Sequence, residues 1–356
     1  MIGVLQFLFP FAGMIEAERA NSLTLFMLSM IGVKRAKKPN YPTLQQNIWG
    51  RDFLSPVGLS AGFDKNAKAV SGHFHLGFGS VELGTVTPNP QDGKPKPRVF
   101  KDKKTESVIN RMGFPSAGVQ KFGRNLGTFH MNFENHWGIV GANIGINADT
   151  KNPAEDFRIG MQNLGAMADY VVLNMSSPNT AGLRELQKPE LFGPIIDTVM
   201  DEREKITDKL PAVVVKISPD IDIDDVPALA KLFLDKGVNG VIVTNTTITR
   251  PDILADKFSA ETGGLSGPLL QDKSTALVSA FYTHLKDKIT IIGCGGINDA
   301  ESAYAKIKAG AHLVQLYTAL VFKGPKLVNK INKGLVELLK KDGFENISDA
   351  VGSAHK

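Results

Sequence analysis

A cluster of polar side chains ends the stretch VVLNMSSPNT, residues 171–180, directly after an apolar run. It offers amide and hydroxyl groups from Asn174, Ser176, Ser177 and Asn179. Amides and hydroxyls both donate and accept hydrogen bonds, so the cluster suits a ligand that is rich in carbonyl and N–H groups. The chain has seven histidines, and none lies in a recognisable nucleophile motif with these serines. The pattern therefore argues against a serine hydrolase of the triad type.

The apolar run before this cluster is one of eight short, β-branched or glycine-rich runs of strand length. They are PVGLSAGF (56–63), SVELGTVT (80–87), IVGANIG (139–145), YVVLNMS (170–176), AVVVKIS (212–218), GVIVTNT (240–246), TIIGCGGI (290–297) and LVQLYTA (313–319). Most segments between them have helical spacing, as in residues 222–237, where Gly237 ends the pattern. This alternation predicts an α/β fold, a (β/α)8 TIM barrel. A doubly wound open sheet is disfavoured because the phosphate-type glycines lie late in the chain.

The ends of the eight runs matter because barrel enzymes carry their chemistry on the loops that follow the strands. Nearly every run ends in glycine or polar residues. Grouped by run in chain order, they are Ala61, Gly62 and Lys65; Thr85; Asn143; Asn174, Ser176, Ser177 and Asn179; Lys216; Thr244, Asn245 and Thr246; Gly295 and Gly296; and Tyr317 and Thr318. The lysines and asparagines predict an enclosed site for a ligand with carbonyl and amide groups. The turn GCGGIND and the loop YTALVFKGP follow the last two runs, where barrels commonly bind a phosphate group. We therefore expect a phosphorylated cofactor or substrate.

Composition narrows the class of protein. The chain has 356 residues, of which 42% are apolar, enough for the core of a barrel enzyme. Its net charge of +5 allows contact with anionic lipid, nucleic acid or an acidic ligand without selecting among them. The single cysteine, Cys294, excludes an internal disulfide and any multi-cysteine metal site, and we expect no metal. The basic run GKPKPRVFKDKK, residues 93–104, is typical of a solvated excursion, so we do not expect nucleic-acid binding.

The N-terminal segment is apolar in two runs, residues 1–14 and 23–33, with charged residues between them. Neither run reaches the roughly 20 residues that cross a bilayer. Helical spacing predicts two short helices, with a break near Pro10 or Gly13 and with apolar faces formed by Val4, Phe7, Leu8 and Phe11 and by Leu23, Phe26, Met27, Met30 and Ile31. These helices either cap the core of the main domain or lie in a membrane interface with the basic segment KRAKK near the lipid head groups. We therefore divide the chain into a helical segment, residues 1–40, and a barrel domain, residues 41–356.

Five motifs agree in order and spacing, namely AGFDKNA (61–67), NRMGFPS (110–116), NMSSPNTAGLR (174–184), GGLSG (263–267) and GCGGI (293–297). In these motifs the chain resembles dihydroorotate dehydrogenase of the membrane-associated, quinone-using class. The resemblance extends over essentially the whole chain and includes the apolar N-terminal segment. It implies an FMN enzyme of pyrimidine biosynthesis that oxidises dihydroorotate to orotate and passes the electrons to ubiquinone or menaquinone.

By this resemblance, FMN lies at the mouth of the barrel. Its ring and ribityl chain would contact Ala61, Gly62, Lys65, Thr85, Asn143, Asn174, Lys216 and Thr244, and its phosphate end would contact Gly267, Gly296, Tyr317 and Thr318. Lys216 would lie near the pyrimidine edge of the flavin, where a fixed cation stabilises the negative charge of the reduced ring.

The resemblance also assigns the substrate site and the catalytic base. Dihydroorotate would contact Lys65, Asn110, Arg111, Met112, Gly113, Phe114, Asn179, Asn245 and Thr246. Cations suit its carboxylate, and asparagines suit the amide-like edges of its ring. Ser177 occupies the position of the base in the quinone-using class, where soluble relatives generally have cysteine. A free serine is a very weak base, so Ser177 would act through a hydrogen-bonded relay or a water molecule in a dry pocket.

The apolar N-terminal helices would frame a tunnel for the quinone and rest on the membrane surface. Lys101 and Asn21 stand where some relatives have arginine and histidine, so the quinone site is the least transferable part of the resemblance. We expect a monomer. The lack of an arginine-rich transit segment favours the cytoplasmic side of a bacterial inner membrane. Two alternatives remain open: a Schiff-base aldolase that uses Lys216 or Lys65, and an FMN-dependent RNA-modifying barrel, for which Cys294 is poorly placed.

Overall fold

The computed structural model describes residues 16–32, 34, 36–180 and 182–355, and its centre is a closed barrel of eight parallel strands. The barrel strands are β1 (Val57–Leu59), β2 (Ser80–Val86), β3 (Ile139–Ile144), β4 (Tyr170–Asn174), β5 (Ala212–Lys216), β6 (Gly240–Val243), β7 (Thr290–Cys294) and β8 (Leu313–Leu316). Each strand pairs with the next, and β8 pairs with β1 through Val314 and Val57, which closes the barrel. Every run expected from the sequence forms one of these strands, so the TIM-barrel prediction is confirmed.

The N-terminal end of the barrel is filled and covered. Val214 packs inside the barrel with Tyr170, whereas Val213 packs with the outer helices, as the alternation of side chains along a strand requires. A hairpin over residues 46–53 covers this end, and the ring of its Trp49 lies 5.7 Å from the ring of Tyr170. The interior of the barrel is therefore closed at its N-terminal end.

The helices alternate with the strands and surround the barrel. They are α1 (Ala17–Ile31), α2 (Val70–Phe74), α3 (Gly118–Asn132), α4 (Pro153–Leu164), α5 (Pro189–Arg203), α6 (Val226–Asp235), α7 (Asp256–Ser259), α8 (Gln271–Leu285), α9 (Ala300–Lys308), α10 (Thr318–Lys323), α11 (Leu327–Asp342) and α12 (Ile347–Ala350). Local signals begin them: the Asn152 side chain caps α4 by accepting a hydrogen bond from the Glu155 N–H, and Asp299 forms a capping box with Ser302 at α9. The helix expected within residues 222–237 is α6.

A small antiparallel sheet lies at the C-terminal mouth of the barrel. Outside the barrel, the described strands are Gln46–Ile48 and Arg51–Phe53 of the hairpin, and Gly264–Ser266, Ser107–Asn110 and Val99–Asp102, which form this mouth sheet in that order. Asn110 pairs with Val99 on one side and with Gly264 on the other. The basic run at residues 93–104 is therefore more than a solvated excursion, because part of it is a paired strand that borders the site.

Helix α1 packs on the barrel through one face and exposes another. Its buried side chains are Leu25, Leu28 and Ile31, while Leu23, Phe26 and Met30 are exposed by 47%, 61% and 57%. Gly72 in α2 allows the close contact, since a Cβ there would lie 2.2 Å from the Leu28 carbonyl oxygen. The residues expected on one apolar face do not share one environment, since Ile31 is buried whereas Leu23, Phe26 and Met30 are exposed. The reason is that residues 23–31 are apolar on most sides of the helix. None of the described helices is long and apolar enough to span a membrane. The helix expected around Val4 to Phe11 lies outside the described residues, and the division at residue 40 stays a prediction.

Candidate active site

A cavity of about 510 Å³ opens between the C-terminal ends of the barrel strands, the mouth sheet and α1. It is lined by most of the residues that the sequence singled out: Ala61, Gly62, Lys65, Thr85, Asn110, Met112, Gly113, Phe114, Asn174, Ser177, Asn179, Lys216, Thr244, Asn245, Thr246, Gly267, Gly296, Tyr317 and Thr318. The closed barrel brings them together because all of its strands end at the same rim.

Asn143 is the first of two expected residues that do not line the cavity. It is fully buried, and its Oδ1 accepts hydrogen bonds from Thr85 Oγ1 at 2.6 Å and from Asn174 Nδ2 at 3.1 Å. Its Nδ2 donates to Glu82 Oε1 at 2.7 Å. On the cavity side, Asn245 Nδ2 donates to Asn174 Oδ1 at 3.2 Å. Asn143 therefore acts from behind the wall, where it fixes the orientation of two residues that line the cavity.

Arg111 is the second expected residue outside the cavity. Its guanidinium pairs with Glu261 and lies 4.5 Å from the centre of the Phe100 ring. Side chains alternate along extended backbone, so Asn110 and Met112 reach the cavity while Arg111 faces the opposite way. The Arg111 side chain is therefore held by Glu261 and Phe100, and it is not among the residues that line this cavity.

The floor of the cavity holds a buried cation beside a buried carboxylate. Lys216 Nζ donates to Ser60 Oγ at 3.2 Å and lies 3.8 Å from Glu82 Oε1. Gln315 Nε2 donates to Glu82 Oε2 at 2.6 Å, and Glu82 has no solvent exposure. A buried charge needs such partners, so the two charged groups hold each other in place. Glu82 and Gln315 are not among the residues predicted from the sequence, although a lone acidic residue inside the apolar run SVELGTV was a usable signal.

The loop after β4 presents the Ser177 hydroxyl to the cavity. Ser177 is 5% exposed, and its Oγ accepts a hydrogen bond from the Asn179 backbone N–H at 3.2 Å. Asn179 Nδ2 in turn donates to the Asn110 carbonyl oxygen at 3.2 Å. The loop is thus connected to the mouth sheet, and its hydroxyl lies in a site that is nearly closed to solvent.

The loop after β1 places a lysine whose charge changes near neutral pH. Lys65 Nζ donates to the Gly62 carbonyl oxygen at 2.5 Å, and burial lowers the pKa of Lys65 to about 8. Asp64 anchors this loop by accepting a hydrogen bond from the Ala69 N–H at 2.8 Å. Burial alone would raise the pKa of Asp64, but its hydrogen bonds, that from His73 first, hold it below the usual value.

Glycine turns form the opposite side of the cavity. Gly267 and Gly296 have φ angles of +115° and +83°, which L side chains rarely adopt. A Cβ on Gly296 would lie 2.4 Å from the Gln271 Cα, so only glycine fits there. Next to these turns, Thr318 Oγ1 donates to Ser266 Oγ at 2.8 Å. Bare backbone of this kind lets an anionic group such as a phosphate approach closely.

Helix α1 covers one side of the cavity and is held there by ion pairs. Glu18 accepts hydrogen bonds from Arg98 Nε at 2.8 Å and Nη2 at 2.9 Å, and these hold the pKa of the Glu18 carboxyl below its usual value. Asn21 Nδ2 donates to the Phe63 carbonyl oxygen at 3.1 Å. The Asn21 Oδ1 is buried and has no partner among the described residues. The α1 wall therefore combines apolar side chains with an acceptor, Asn21 Oδ1, that has no partner among the described residues.

Comparison with protein families finds one match that covers most of the barrel. The family model described as dihydroorotate dehydrogenase matches residues 43–339. The chain belongs to the dihydroorotate dehydrogenase family. The match includes every barrel strand and every residue expected to bind FMN or dihydroorotate.

Individual relatives point to the quinone-using class of dihydroorotate dehydrogenase. A protein of Azorhizobium caulinodans named dihydroorotate dehydrogenase (quinone) is 44% identical over 347 residues, which cover 97% of each chain. A mitochondrial protein of the same name from Mus musculus is 41% identical and covers 96% of this chain and 88% of its own. The crystal structure of DHODH in complex with ferulenol from Eimeria tenella superposes with a TM-score of 0.91 at 39% identity and covers 96% of both chains. The resemblance stated from the motifs is confirmed.

The cavity wall also includes the single cysteine of the chain. Cys294, at the end of β7, contributes to the wall, and its Sγ lies 3.6 Å from Ser60 Oγ. Its presence in the wall does not decide a catalytic role, and the expectation that it is poorly placed as the catalytic cysteine of an RNA-modifying enzyme stays a prediction. Within the described ranges, no three histidine, cysteine, aspartate or glutamate side chains come together in a way that could hold a metal ion.

Proposed function

We propose that this member of the dihydroorotate dehydrogenase family oxidises dihydroorotate to orotate in pyrimidine biosynthesis, with FMN as cofactor and a quinone as electron acceptor. The observation that carries the proposal is a single cavity that contains the Ser177 hydroxyl, the Asn179 amide and the Lys65 ammonium. A base, a hydrogen-bonding amide and a cation are the groups that a cyclic amide with a carboxylate needs. The names of the relatives support the same reaction.

The cavity residues fit FMN in two respects. Gly296 leaves room for a phosphate group where any side chain would clash with Gln271. Gln315 Oε1 is buried without a partner among the described residues and is suited to accept a hydrogen bond from a ring N–H. When bound, FMN supplies the acceptor for the hydride. We assign its ring and ribityl contacts to Ala61, Gly62, Lys65, Thr85, Asn174, Lys216 and Thr244, with Asn143 behind them, and its phosphate contacts to Gly267, Gly296, Tyr317 and Thr318.

The substrate contacts are the polar groups on the mouth side of the cavity. We assign them to Lys65, Asn110, Met112, Gly113, Phe114, Asn179, Asn245 and Thr246. The Lys65 ammonium pairs with the carboxylate, and the asparagine amides pair with the C=O and N–H edges of the ring. We no longer assign Arg111 to the substrate; through Glu261 it supports the strand that carries Asn110.

Ser177 is the proposed base. It removes the proton from the ring carbon next to the one that loses the hydride. The N–H of Asn179 points at the Ser177 oxygen and stabilises the negative charge that develops there as the hydroxyl proton is relayed away. Low exposure excludes bulk water from this step, which strengthens each of these electrostatic contacts.

The quinone, either ubiquinone or menaquinone, would enter between α1 and the rim of the barrel. The cavity wall there contains Leu23, Thr24 and Met27, which suit an apolar molecule. Phe26 and Met30 on the outer side of α1 would rest in the lipid surface. We propose a monomer bound peripherally to the cytoplasmic side of a bacterial inner membrane, with the segment of residues 1–40 as its contact.

Anaerobic mixing of the purified, FMN-loaded protein with dihydroorotate tests this function. Bleaching of the visible flavin absorbance, followed by recovery when a soluble quinone is added, is the expected result. A yellow protein that dihydroorotate cannot bleach would favour the RNA-modifying alternative. A colourless protein that does not take up FMN would favour the aldolase alternative, which needs no flavin.

A further inference from the structure

The guanidinium of Arg184 spans two loops of the active site. Arg184 ends the motif NMSSPNTAGLR, and its Nε donates to the Ser176 carbonyl oxygen at 3.3 Å. Its Nη2 donates to the Thr246 carbonyl oxygen at 3.0 Å. Ser176 precedes Ser177 in the loop after β4, whereas Thr246 lies in the loop after β6. One side chain therefore ties together two loops whose strands are separated by β5 in the barrel.

Asp220, in the loop after β5, orients this guanidinium. Arg184 Nη1 donates to Asp220 Oδ2 at 2.8 Å, and the same oxygen accepts a hydrogen bond from the Ile248 N–H at 2.9 Å. Asp220 Oδ1 lies 2.5 Å from Lys273 Nζ and accepts the Thr247 hydroxyl. Burial alone would raise the pKa of Asp220, but its hydrogen bonds, that from Lys273 first, hold it below the usual value. The carboxylate is therefore ionised at neutral pH.

Arg184 acts on the loops and not on a ligand in the cavity. It is absent from the cavity wall, and its polar atoms are directed at two carbonyl groups and one carboxylate. A guanidinium is a planar fork that donates in several fixed directions at once, which a lysine ammonium cannot reproduce. The position of the loop has to be fixed by contacts from outside it, since residues 175–180 form no regular secondary structure and Gly182 adopts a φ of +68°.

We propose that Arg184, oriented by Asp220, is a positioning residue that holds Ser177 in line with the bound substrate. This inference rests on the proposed function, in which Ser177 is the base. The Ser176 carbonyl belongs to the peptide group that joins Ser176 to Ser177, so a shift of this carbonyl moves the hydroxyl directly. Thr246 is an assigned substrate contact, and the same guanidinium therefore sets the distance between base and substrate. A misplacement of about 1 Å costs about 100-fold in rate.

Two variants and one rescue test the proposal. Arg184→Gln removes the positive charge and most of the hydrogen-bond donors of the guanidinium. Asp220→Asn keeps the shape of the Asp220 side chain but loses the negative charge that orients the guanidinium. In both we expect flavin bleaching by dihydroorotate to slow at least about tenfold, while re-oxidation by quinone and FMN content stay within about twofold of wild type. Hydrogen exchange at the backbone amides of residues 176–180 should become faster. In Arg184→Ala, added N-ethylguanidinium should restore part of the bleaching rate.

Arg158→Gln is the matched control. Arg158 is also an arginine held by carboxylates, 2.7 Å from Glu155 and 3.2 Å from Glu202, and its side chain is 29% exposed against 21% for Arg184. It bridges α4 and α5 outside the cavity. We expect Arg158→Gln to leave the bleaching rate and the exchange at residues 176–180 unchanged.

The outcomes separate this inference from the proposed function. If the wild type is bleached normally and both variants are bleached within about twofold of it, the inference is wrong and the function stands. If both half reactions slow together and FMN is lost, Arg184 has a general structural role and the inference is also wrong. A wild type that dihydroorotate cannot bleach overturns the function and the inference together. If Arg184→Gln does not fold, Asp220→Asn decides.

Discussion

The backbone N–H of Asn179 donates a hydrogen bond to the hydroxyl oxygen of Ser177 over 3.2 Å. This donor favours the form of the serine that has given up its proton. We expect Ser177→Ala to slow flavin bleaching by dihydroorotate by about 10²- to 10⁴-fold in stopped-flow measurements. FMN content and re-oxidation by quinone should be unchanged, because neither depends on the hydroxyl. Bleaching within about threefold of wild type would remove Ser177 from the reaction.

Ligand binding should weaken as Lys65 loses its proton. Burial lowers the pKa of Lys65 to about 8 in the free protein, and only the ammonium form attracts a carboxylate. We expect the Kd for orotate to be nearly constant below pH 7 and to rise about tenfold per unit well above pH 8. Lys65→Met should bind weakly at every pH, whereas Lys68→Met, which alters an exposed neighbour, should keep the wild-type profile. A wild-type Kd that does not change between pH 7 and pH 10 would contradict this role.

Stability should increase with pH because of a second buried lysine. Lys306 in α9 has no solvent exposure, and its ammonium is held by Thr275 Oγ1 at 2.9 Å and by the Ser274 hydroxyl, without a carboxylate. Burial lowers the pKa of Lys306 from 10.5 to about 7. Between these values the unfolded chain binds a proton that the folded protein does not, so the free energy of unfolding rises with pH by up to about 1.4 kcal/mol per unit.

Urea unfolding at pH 7 and pH 9 measures this effect of Lys306. From pH 7 to pH 9, wild type should gain roughly 2 kcal/mol more stability than Lys306→Met, in which the titrating group is missing. Lys308→Met, which changes a partly exposed lysine on the same helix, should behave like wild type. Equal gains in wild type and Lys306→Met would show that this lysine stays charged in the folded protein.

Loss of the ion pair between Glu18 and Arg98 should raise the KM for quinone and have much less effect on flavin bleaching by dihydroorotate. Glu18 joins α1 to Arg98 and Lys96, and α1 forms the wall on the proposed quinone side of the cavity. We expect Glu18→Gln to raise the KM for quinone about two- to tenfold, since a partly buried, bidentate pair is lost. Flavin bleaching at saturating dihydroorotate and pH 7 should change much less, because Glu18 acts on that side only through the charge of Lys65. Glu16→Gln, whose only described ion pair is with exposed Arg19, is the control, and an equal effect in it would contradict this role.

The barrel and most of its site could be predicted from the sequence for a definite physical reason. A parallel strand buried on both faces needs an unbroken apolar run, and β5 with its three consecutive valines shows this pattern. In a closed barrel every run ends at the same rim, so Ser177 and Lys216 could be placed in one site although 39 positions separate them in the numbering. No knowledge of their actual contacts was needed.

Contacts between distant segments could not be predicted. Nothing near Val108 indicates that its strand pairs with Ser266, and the direction of Arg111 depends on this mouth sheet. Glu82 takes part in the site only through its contacts with Lys216 and Gln315 at the floor of the cavity. Residues 23–31 of α1 are apolar on most sides, so hydrophobic spacing alone does not distinguish the buried face of this helix from its exposed one.

During synthesis, the strand that carries Asn110 leaves the ribosome long before its partner strand at Gly264 is made. β1 lacks its partner strand β8 for longer still, because Val57 pairs with Val314. Until then both segments present unpaired strand edges, which are prone to join other chains. The residues proposed to hold FMN include Thr318 as well as Gly62, so no nascent chain that ends before Thr318 contains all of them. We therefore expect FMN to bind only when nearly the whole chain has been made, and a chain that ends before β8 would lack part of the proposed site even when FMN is present.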